Sequence, residues 1–271
     1  MTLPLSGCTF GWLHQAALPD ALQALARHGF GSLELTTAPP HLFAPAFGPY
    51  ERRELARTLA ALDLTVVSVN PSFADINLIS TNPEIGEISA RQIIANLELA
   101  ADLGASCVVV IPGRRHALAP APDQAARAVL DRQLSRLLSR AAALGITIAL
   151  ENSPYGYLGG SADLIEIVDR WDSALLRITY DVANALAIED PAEGVRRIGH
   201  RLALAHVSDT WRDTWAHTSA GRGEVDFPAF AAALTQTGFR GPTVYELVDG
   251  EDPEPRLPAD LASLAAAGWA A

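Results

Sequence analysis

The sequence predicts an α/β protein, a single (β/α)8 barrel of the TIM type spanning residues 1–271 as one domain. Three observations predict it. Eight short apolar runs alternate with helix-like stretches from one end of the chain to the other. The runs are rich in Val, Ile and Leu, as parallel strands are when both faces are covered. The length of 271 residues suits this barrel, whose usual size is about 250 residues, and no shift in composition marks a domain boundary. A doubly wound open sheet is the competing architecture. Eight regular units, with no glycine-rich dinucleotide turn after the first strand, count against it.

The first strand is expected near CTFGW (8–12), followed by a helix over Pro19–His28, with Pro19 in its opening turn and Gly29 at its C-terminal cap. Strand two is SLEL (32–35), and a Pro-, Ala- and Phe-rich loop leads to a helix at 51–62. Strand three is TVVSVN (65–70), with a helix from Glu84 to Leu103 that stops at Gly104. Strand four is CVVVIP (107–112), and its helix runs from 122 to 144 with Gly145 as cap. Strand five, ITIALE (146–151), precedes a helix from Ser161, a good N-cap, to 171. Strand six is LRITYD (176–181), with a short helix at 191–199, and strand seven is LALAHV (202–207). A long loop then reaches a helix capped by Asp226 and running through Gln236. Strand eight is TVYEL (243–247), and a last helix covers 258–267.

A formal net charge of −11 and a pI near 5.0 repel a phosphate backbone, so no nucleic-acid partner is expected. The two cysteines, Cys8 and Cys107, give no disulfide framework, which fits a reducing cytosol. Cys107 lies in an apolar run and reads as a buried, inert thiol. No signal peptide is recognisable, and no apolar stretch approaches the roughly 20 residues of a membrane helix. A soluble, cytoplasmic protein without a membrane partner is the expectation.

Four residues carry chemistry. Glu151, Asp181, His206 and Glu246 close, or nearly close, the apolar runs ITIALEN, RITYDVAN, LALAHVSD and TVYEL. In an α/β barrel, side chains at the C-terminal strand ends face the catalytic mouth. Three carboxylates and an imidazole from consecutive units would converge there on one divalent metal, with positions left open for substrate. Oxygen and nitrogen donors without a thiolate favour Mn2+, Mg2+ or Co2+, with Zn2+ also admissible. Such a metal polarises the carbonyl of a hydroxy-ketone and acidifies the adjacent C–H. Glu151 and Glu246, from non-adjacent strands, can then remove and return a proton across the substrate.

The motifs LEN (150–152), YDVAN (180–184), HVSDTWR (206–212), GRGEVDF (221–227) and YEL (245–247) resemble, in order and spacing, the xylose isomerase-like barrel superfamily. The likeness is to its sugar isomerase/epimerase branch, related to ketose 3-epimerases, and extends over nearly the whole chain. It implies one divalent metal on Glu151, Asp181, His206 and Glu246, with both glutamates as acid/base groups in carbohydrate metabolism and the metal stabilising an enediolate of a small, sugar-like substrate. It also implies that Arg212, six residues beyond the metal histidine, binds a substrate oxygen. One position departs: Asn184 stands where relatives commonly carry histidine, and an amide cannot shuttle a proton. A dehydratase or lyase of the inosose or 3-dehydroshikimate type is the alternative reaction on similar barrels, and a degenerate barrel that only binds is a third reading. Related barrels often form dimers or tetramers, so a homo-oligomer is compatible. The segment NPSFADINLIS (70–80) also resembles the three-zinc apurinic-site endonucleases, but Asn70 and Asn184 replace expected histidine ligands there.

Secondary candidates surround the mouth. Trp12 and Phe10 offer an apolar pocket wall or core packing, and Asn70 a pocket-lining amide. Glu34 offers either a hydrogen bond to a substrate hydroxyl or a buried, paired carboxylate. The loop GRRH (113–116) brings Arg114, Arg115 and His116 together for a substrate phosphate or carboxylate, unless it is a solvated turn. Tyr155 and Tyr157 are candidate lid residues. His217 and Arg222 lie in the loop after strand seven, where His217 reads as loop scaffold. Asp209 is expected to orient His206.

Overall fold

The computed structural model describes residues 2–71 and 73–271; Ser72, within the segment 70–80, lies outside the described residues. Eight parallel strands close on themselves: β1 (Leu3–Cys8), β2 (Ser32–Thr36), β3 (Thr65–Asn70), β4 (Cys107–Val110), β5 (Thr147–Glu151), β6 (Leu176–Asp181), β7 (Leu202–Val207) and β8 (Thr243–Tyr245). β1 completes the ring by pairing with both β2 and β8. The outer layer is α1 (Leu18–Arg27), α2 (Pro49–Ala61), α3 (Pro83–Leu103), α4 (Asp123–Leu144), α5 (Ser161–Trp171), α6 (Val182–Leu186), α7 (Pro191–Ile198), α8 (Phe227–Gln236) and α9 (Leu257–Ala267). The chain is thus a single TIM barrel.

The differences from the expected elements have physical causes. The first strand lies at Leu3–Cys8 rather than 8–12, and Phe10–Trp12 forms a 3-10 turn. Pro4 removes a backbone donor and so reads as a breaker, yet it sits near the strand start at an exposed position, where proline is tolerated. β4 stops before Pro112, which cannot donate to a ladder. β8 ends at Tyr245, but the ladder continues one residue, with Glu246 N–H donating to the Val207 carbonyl at 3.0 Å. Two short elements escape periodicity altogether: α6, one turn capped by the Asp181 side chain, and β9 (Trp269–Ala270), which pairs with Leu3 and Pro4.

Two apolar layers hold the barrel. Between strands and helices runs the large core, including Leu33, Ile93, Leu97, Leu130, Ile178 and Trp269. Inside the ring, Cys8, Cys107, Ala149, Leu204 and Val244 fill the lumen, contributed by five different strands. Strand register sets the height of the site: Asp181 lies opposite His206, and Cys8 opposite Glu34. Where α7 lies against β6, the Tyr180 hydroxyl donates to Glu189 at 2.8 Å, and a Cβ on Gly194 would overlap that hydroxyl. Gly194→Ala should therefore destabilise the fold by about 1–3 kcal/mol through overpacking. A lower urea midpoint is the expected result, and an unchanged midpoint would show that α7 can shift freely.

Candidate active site

Each of the four strand-end residues has a different local reason to point into the mouth. Glu151 is the last residue of β5 and Asp181 the last of β6. His206 is the penultimate residue of β7, and Glu246 follows β8 in the continued ladder. All four are buried, and one donor atom from each lies within 4.8 Å of the others. His206 Nδ1 sits 3.1 Å from Glu151 Oε1, 3.4 Å from Glu246 Oε2 and 3.7 Å from Asp181 Oδ2.

The other face of the imidazole is fixed by Glu34, not by Asp209 as expected. Glu34 Oε2 lies 3.1 Å from His206 Nε2, while Ser68 Oγ and Asn70 Nδ2 donate to the same carboxylate at 2.7 and 2.8 Å. Glu34 is the buried, paired carboxylate of the two readings, and it leaves Nδ1 free to face the cluster. Asp209 instead organises the loop after β7: its carboxylate accepts from the backbone N–H groups of Thr210, Gly221, Gly223 and Val225 at 2.8–3.1 Å. Gly223 is required there, because a Cβ would overlap the Thr210 carbonyl.

Glu151 and Glu246 of the cluster line a cavity of about 300 Å³, while Asp181 and His206 are buried beside them. Phe10, Phe73, Ile111 and Val248 supply apolar walls; Asn70, Asn184, Ser153 and His217 add polar ones. Asn70 also donates weakly to Glu246 Oε1, at 3.3 Å. Asn184 is locked from two sides: its carbonyl accepts from Trp215 Nε1 at 2.7 Å and its amide donates to the Asn152 carbonyl at 3.0 Å. Indole is a donor only, so the Asn184 NH2 must face Glu151 Oε1, 3.4 Å away.

His217, read from sequence as scaffold, lies at the site. Its Nδ1 is 3.4 Å from Glu246 Oε2, 3.8 Å from Asp181 Oδ2 and 3.1 Å from Ser208 Oγ. Backbone pairing of His217 with Val248, and of Asp209 with Thr218, brings it there. Trp215, also unremarked in the sequence, packs edge-on against Tyr155 and His217 with centroids 5.2 and 5.6 Å away. The one available signal was a histidine and a tryptophan two residues apart in the loop following the strand that carries His206.

Other expected residues lie elsewhere. Trp12 is buried in the core and only Phe10 reaches the cavity. The Arg212 guanidinium donates to the Leu186 carbonyl at 3.3 Å and is not among the residues lining the cavity, while its backbone N–H donates to Glu224 at 3.2 Å. His116 lies with Arg114 and Arg115 in a separate hollow. Tyr157 donates to Asp123 at 2.9 Å rather than covering the mouth.

Four buried carboxylates (Glu34, Glu151, Asp181 and Glu246) thus surround His206, with His217 beside two of them, and among the described residues no arginine lines the cavity. Burial pushes the Glu151 carboxyl up, and that of Asp181 up to about 6. Burial alone would lower the His206 pKa, but Glu246, Glu34 and Glu151 hold it well above its ordinary value. Glu34 feels the same burial, which raises it, but His206 brings its carboxyl below the ordinary value. Asp181 Oδ2 is buried and has no hydrogen-bond partner among the described residues. A buried anionic oxygen without a donor is what a cation ligand looks like before the cation is added. The residues present therefore fit a divalent metal, with oxygen and nitrogen donors and no thiolate among the four.

Residues 22–267 match the xylose isomerase-like TIM barrel family, and the chain belongs to it. An uncharacterized protein of Methanocaldococcus jannaschii is 29% identical over 234 residues, covering 83% of this chain and 77% of that protein. The L-ribulose 3-epimerase of Methylomonas sp. (strain DH-1) is 35% identical over 133 residues, 46% of this chain and 43% of the relative. A solved D-tagatose 3-epimerase-like protein shares the fold with a TM-score of 0.85 over 98% of this chain and 97% of that one, at 23% identity.

A cation entering this cluster must displace protons, so metal affinity should rise as pH increases through about 6. The metal-free protein should show the opposite trend in stability. The raised Asp181 carboxyl contributes stability that is complete below its ordinary 3.8 and is lost as pH rises through about 6. Calorimetric Mn2+ titrations and denaturation midpoints across that window check both signs, and a pH-independent affinity would contradict them.

Proposed function

We propose that the chain is a divalent-metal-dependent isomerase or epimerase acting on a small sugar or polyhydroxy ketone. One observation carries the reading: two buried glutamates, Glu151 closing β5 and Glu246 following the non-adjacent β8, both line a single cavity, and one donor atom of each lies within 4.8 Å of donor atoms of the buried Asp181 and His206. Glu151, Asp181, His206 and Glu246 would hold the metal. Bound there, it would supply Lewis-acid polarisation of a substrate carbonyl and so acidify the neighbouring C–H.

Glu151 or Glu246 takes the proton from the carbon beside the carbonyl, and the other glutamate returns one from the opposite side, which inverts that carbon. Burial raises the Glu151 carboxyl towards the range in which a carboxyl both accepts and releases a proton near neutral pH. The Asn184 amide, held by Trp215, steadies Glu151, and Asn70 steadies Glu246. Phe10, Phe73, Ile111 and Val248 keep water from the reacting carbon. The cavity lies at the small end of ligand pockets, which run from roughly 300 to 1,000 Å³, and admits a monosaccharide rather than a polymer. The named epimerase among the relatives supports the same class.

A dehydratase remains a second reading because of His217. Its ring faces the cavity 3.4 Å from Glu246 and could protonate a departing hydroxyl after the same proton abstraction. Incubation with ketoses and keto-inositols in D2O, with Mn2+, Mg2+ or Co2+, separates the two. Deuterium in an isomeric product supports epimerisation, whereas an unsaturated product supports elimination. Glu151→Gln and Glu246→Gln should each lose about 10²-fold or more in rate. A variant that keeps the full rate would remove that glutamate from the chemistry.

A further inference from the structure

A second hollow of about 270 Å³ opens between the loops after β3 and β4, the same two loops that supply Phe73 and Ile111 to the main cavity. Its polar lining is Asn77, Ser80, Thr81, Arg114, Arg115 and His116. Among the described residues no carboxylate lines it, although the chain carries 31 acidic residues against 20 basic ones. The main cavity is the reverse, floored by acids. A single pair of loops therefore borders an acidic hollow and a basic one.

The donors of the outer hollow are prepared. His116 Nδ1 accepts from the Leu118 and Ala119 N–H groups at 3.2 and 3.0 Å. That double acceptance puts the ring proton on Nε2 and makes the outer nitrogen a donor. The Arg115 fork lies over the Tyr157 ring, 5.4 Å from its centroid, and reaches the Ala121 carbonyl at 3.3 Å, so it is held in place. Its contact with Asp123 is long, at 3.8 Å. The Arg114 guanidinium has no hydrogen bond or ion pair among the described residues, while its backbone carbonyl accepts from Asn77 Nδ2 at 3.0 Å and ties the two loops together. Ser80 Oγ accepts from the Asn82 N–H at 3.1 Å and keeps its own proton to give.

We propose that this outer hollow is an anion subsite that takes a terminal phosphate of the substrate, whose carbonyl end enters the main cavity. Two guanidinium groups, one imidazole N–H and two hydroxyls offer donors from several directions, which suits a tetrahedral dianion better than a planar carboxylate. The inference rests on the proposed function for its substrate role, and the chemistry it names is that of a phosphorylated polyhydroxy ketone.

The test uses inorganic phosphate as probe, followed by 31P line broadening on the metal-loaded protein. The wild type should bind phosphate, and the R114Q/H116N double variant should bind it at least about tenfold more weakly, with metal content and melting temperature unchanged. Absence of phosphate binding, or equal binding by the variant, overturns the proposal whatever the main cavity does. In the second arm, ketose phosphates are compared with the same unphosphorylated ketoses. A lower KM for the phosphates in the wild type, lost in R114Q/H116N, supports the substrate role. Phosphate binding together with equal KM values for both sets overturns that role and leaves a site for the free ion. Phosphate binding without proton exchange on any ketose instead counts against the reading of the main cavity.

Discussion

The barrel mouth is organised around an electrostatic debt. Four carboxylates, all but shut off from water, crowd around the His206 imidazole, with the His217 imidazole beside Glu246 and Asp181. Burying unpaired charge in a low-dielectric interior is costly unless a counter-charge or hydrogen bonds offset it. Hydrogen bonds from Ser68, Asn70 and Asn184 cover part of the demand on Glu34, Glu246 and Glu151, but Asp181 Oδ2 receives none among the described residues. A bound divalent cation is the simplest group that satisfies all four donors at once. A proton on His206 offsets part of the same charge, and Glu246, Glu34 and Glu151 raise the pKa of that imidazole accordingly.

The surrounding architecture serves this point. Glu34 fixes the ring from behind through Nε2, so the nitrogen that faces the cluster is decided before any ligand enters. On the far side, the loop after β7 is not slack: the carboxylate of Asp209 gathers four of its backbone N–H groups, and pairing with Val248 seats His217. The same loop delivers the Trp215 indole that fixes the orientation of the Asn184 amide against Glu151. Asparagine thus performs a positioning task here that does not require a titratable ring.

The extent to which this was legible in the sequence follows from how local each determinant is. Glu151, Asp181, His206 and Glu246 end apolar strands, so a period-two or continuous apolar run followed by a polar residue reveals them without tertiary knowledge. Glu34 carried a signal too, an acid inside SLEL that an ordinary covered strand would not hold, but its partner in β7 is invisible without the ring closure. His217 and Trp215 reach the cavity through long-range backbone pairing, which leaves no periodic trace. Arg212 and Trp12 are near the mouth in the chain, but the Arg212 guanidinium donates to the Leu186 carbonyl and Trp12 packs in the core, contacts that only the fold supplies. Pro4 concealed the true start of the first strand because its cost depends on exposure, which only the fold supplies.

The most direct measurement is anomalous diffraction from crystals of the protein soaked in Mn2+ and, separately, in Zn2+. One strong peak is expected, coordinated by Glu151, Asp181, His206 through Nδ1, and Glu246, at ligand distances of roughly 2.0–2.3 Å. A mouth that stays free of anomalous density in both soaks, or a peak that leaves any of these four side chains uncoordinated, would contradict it.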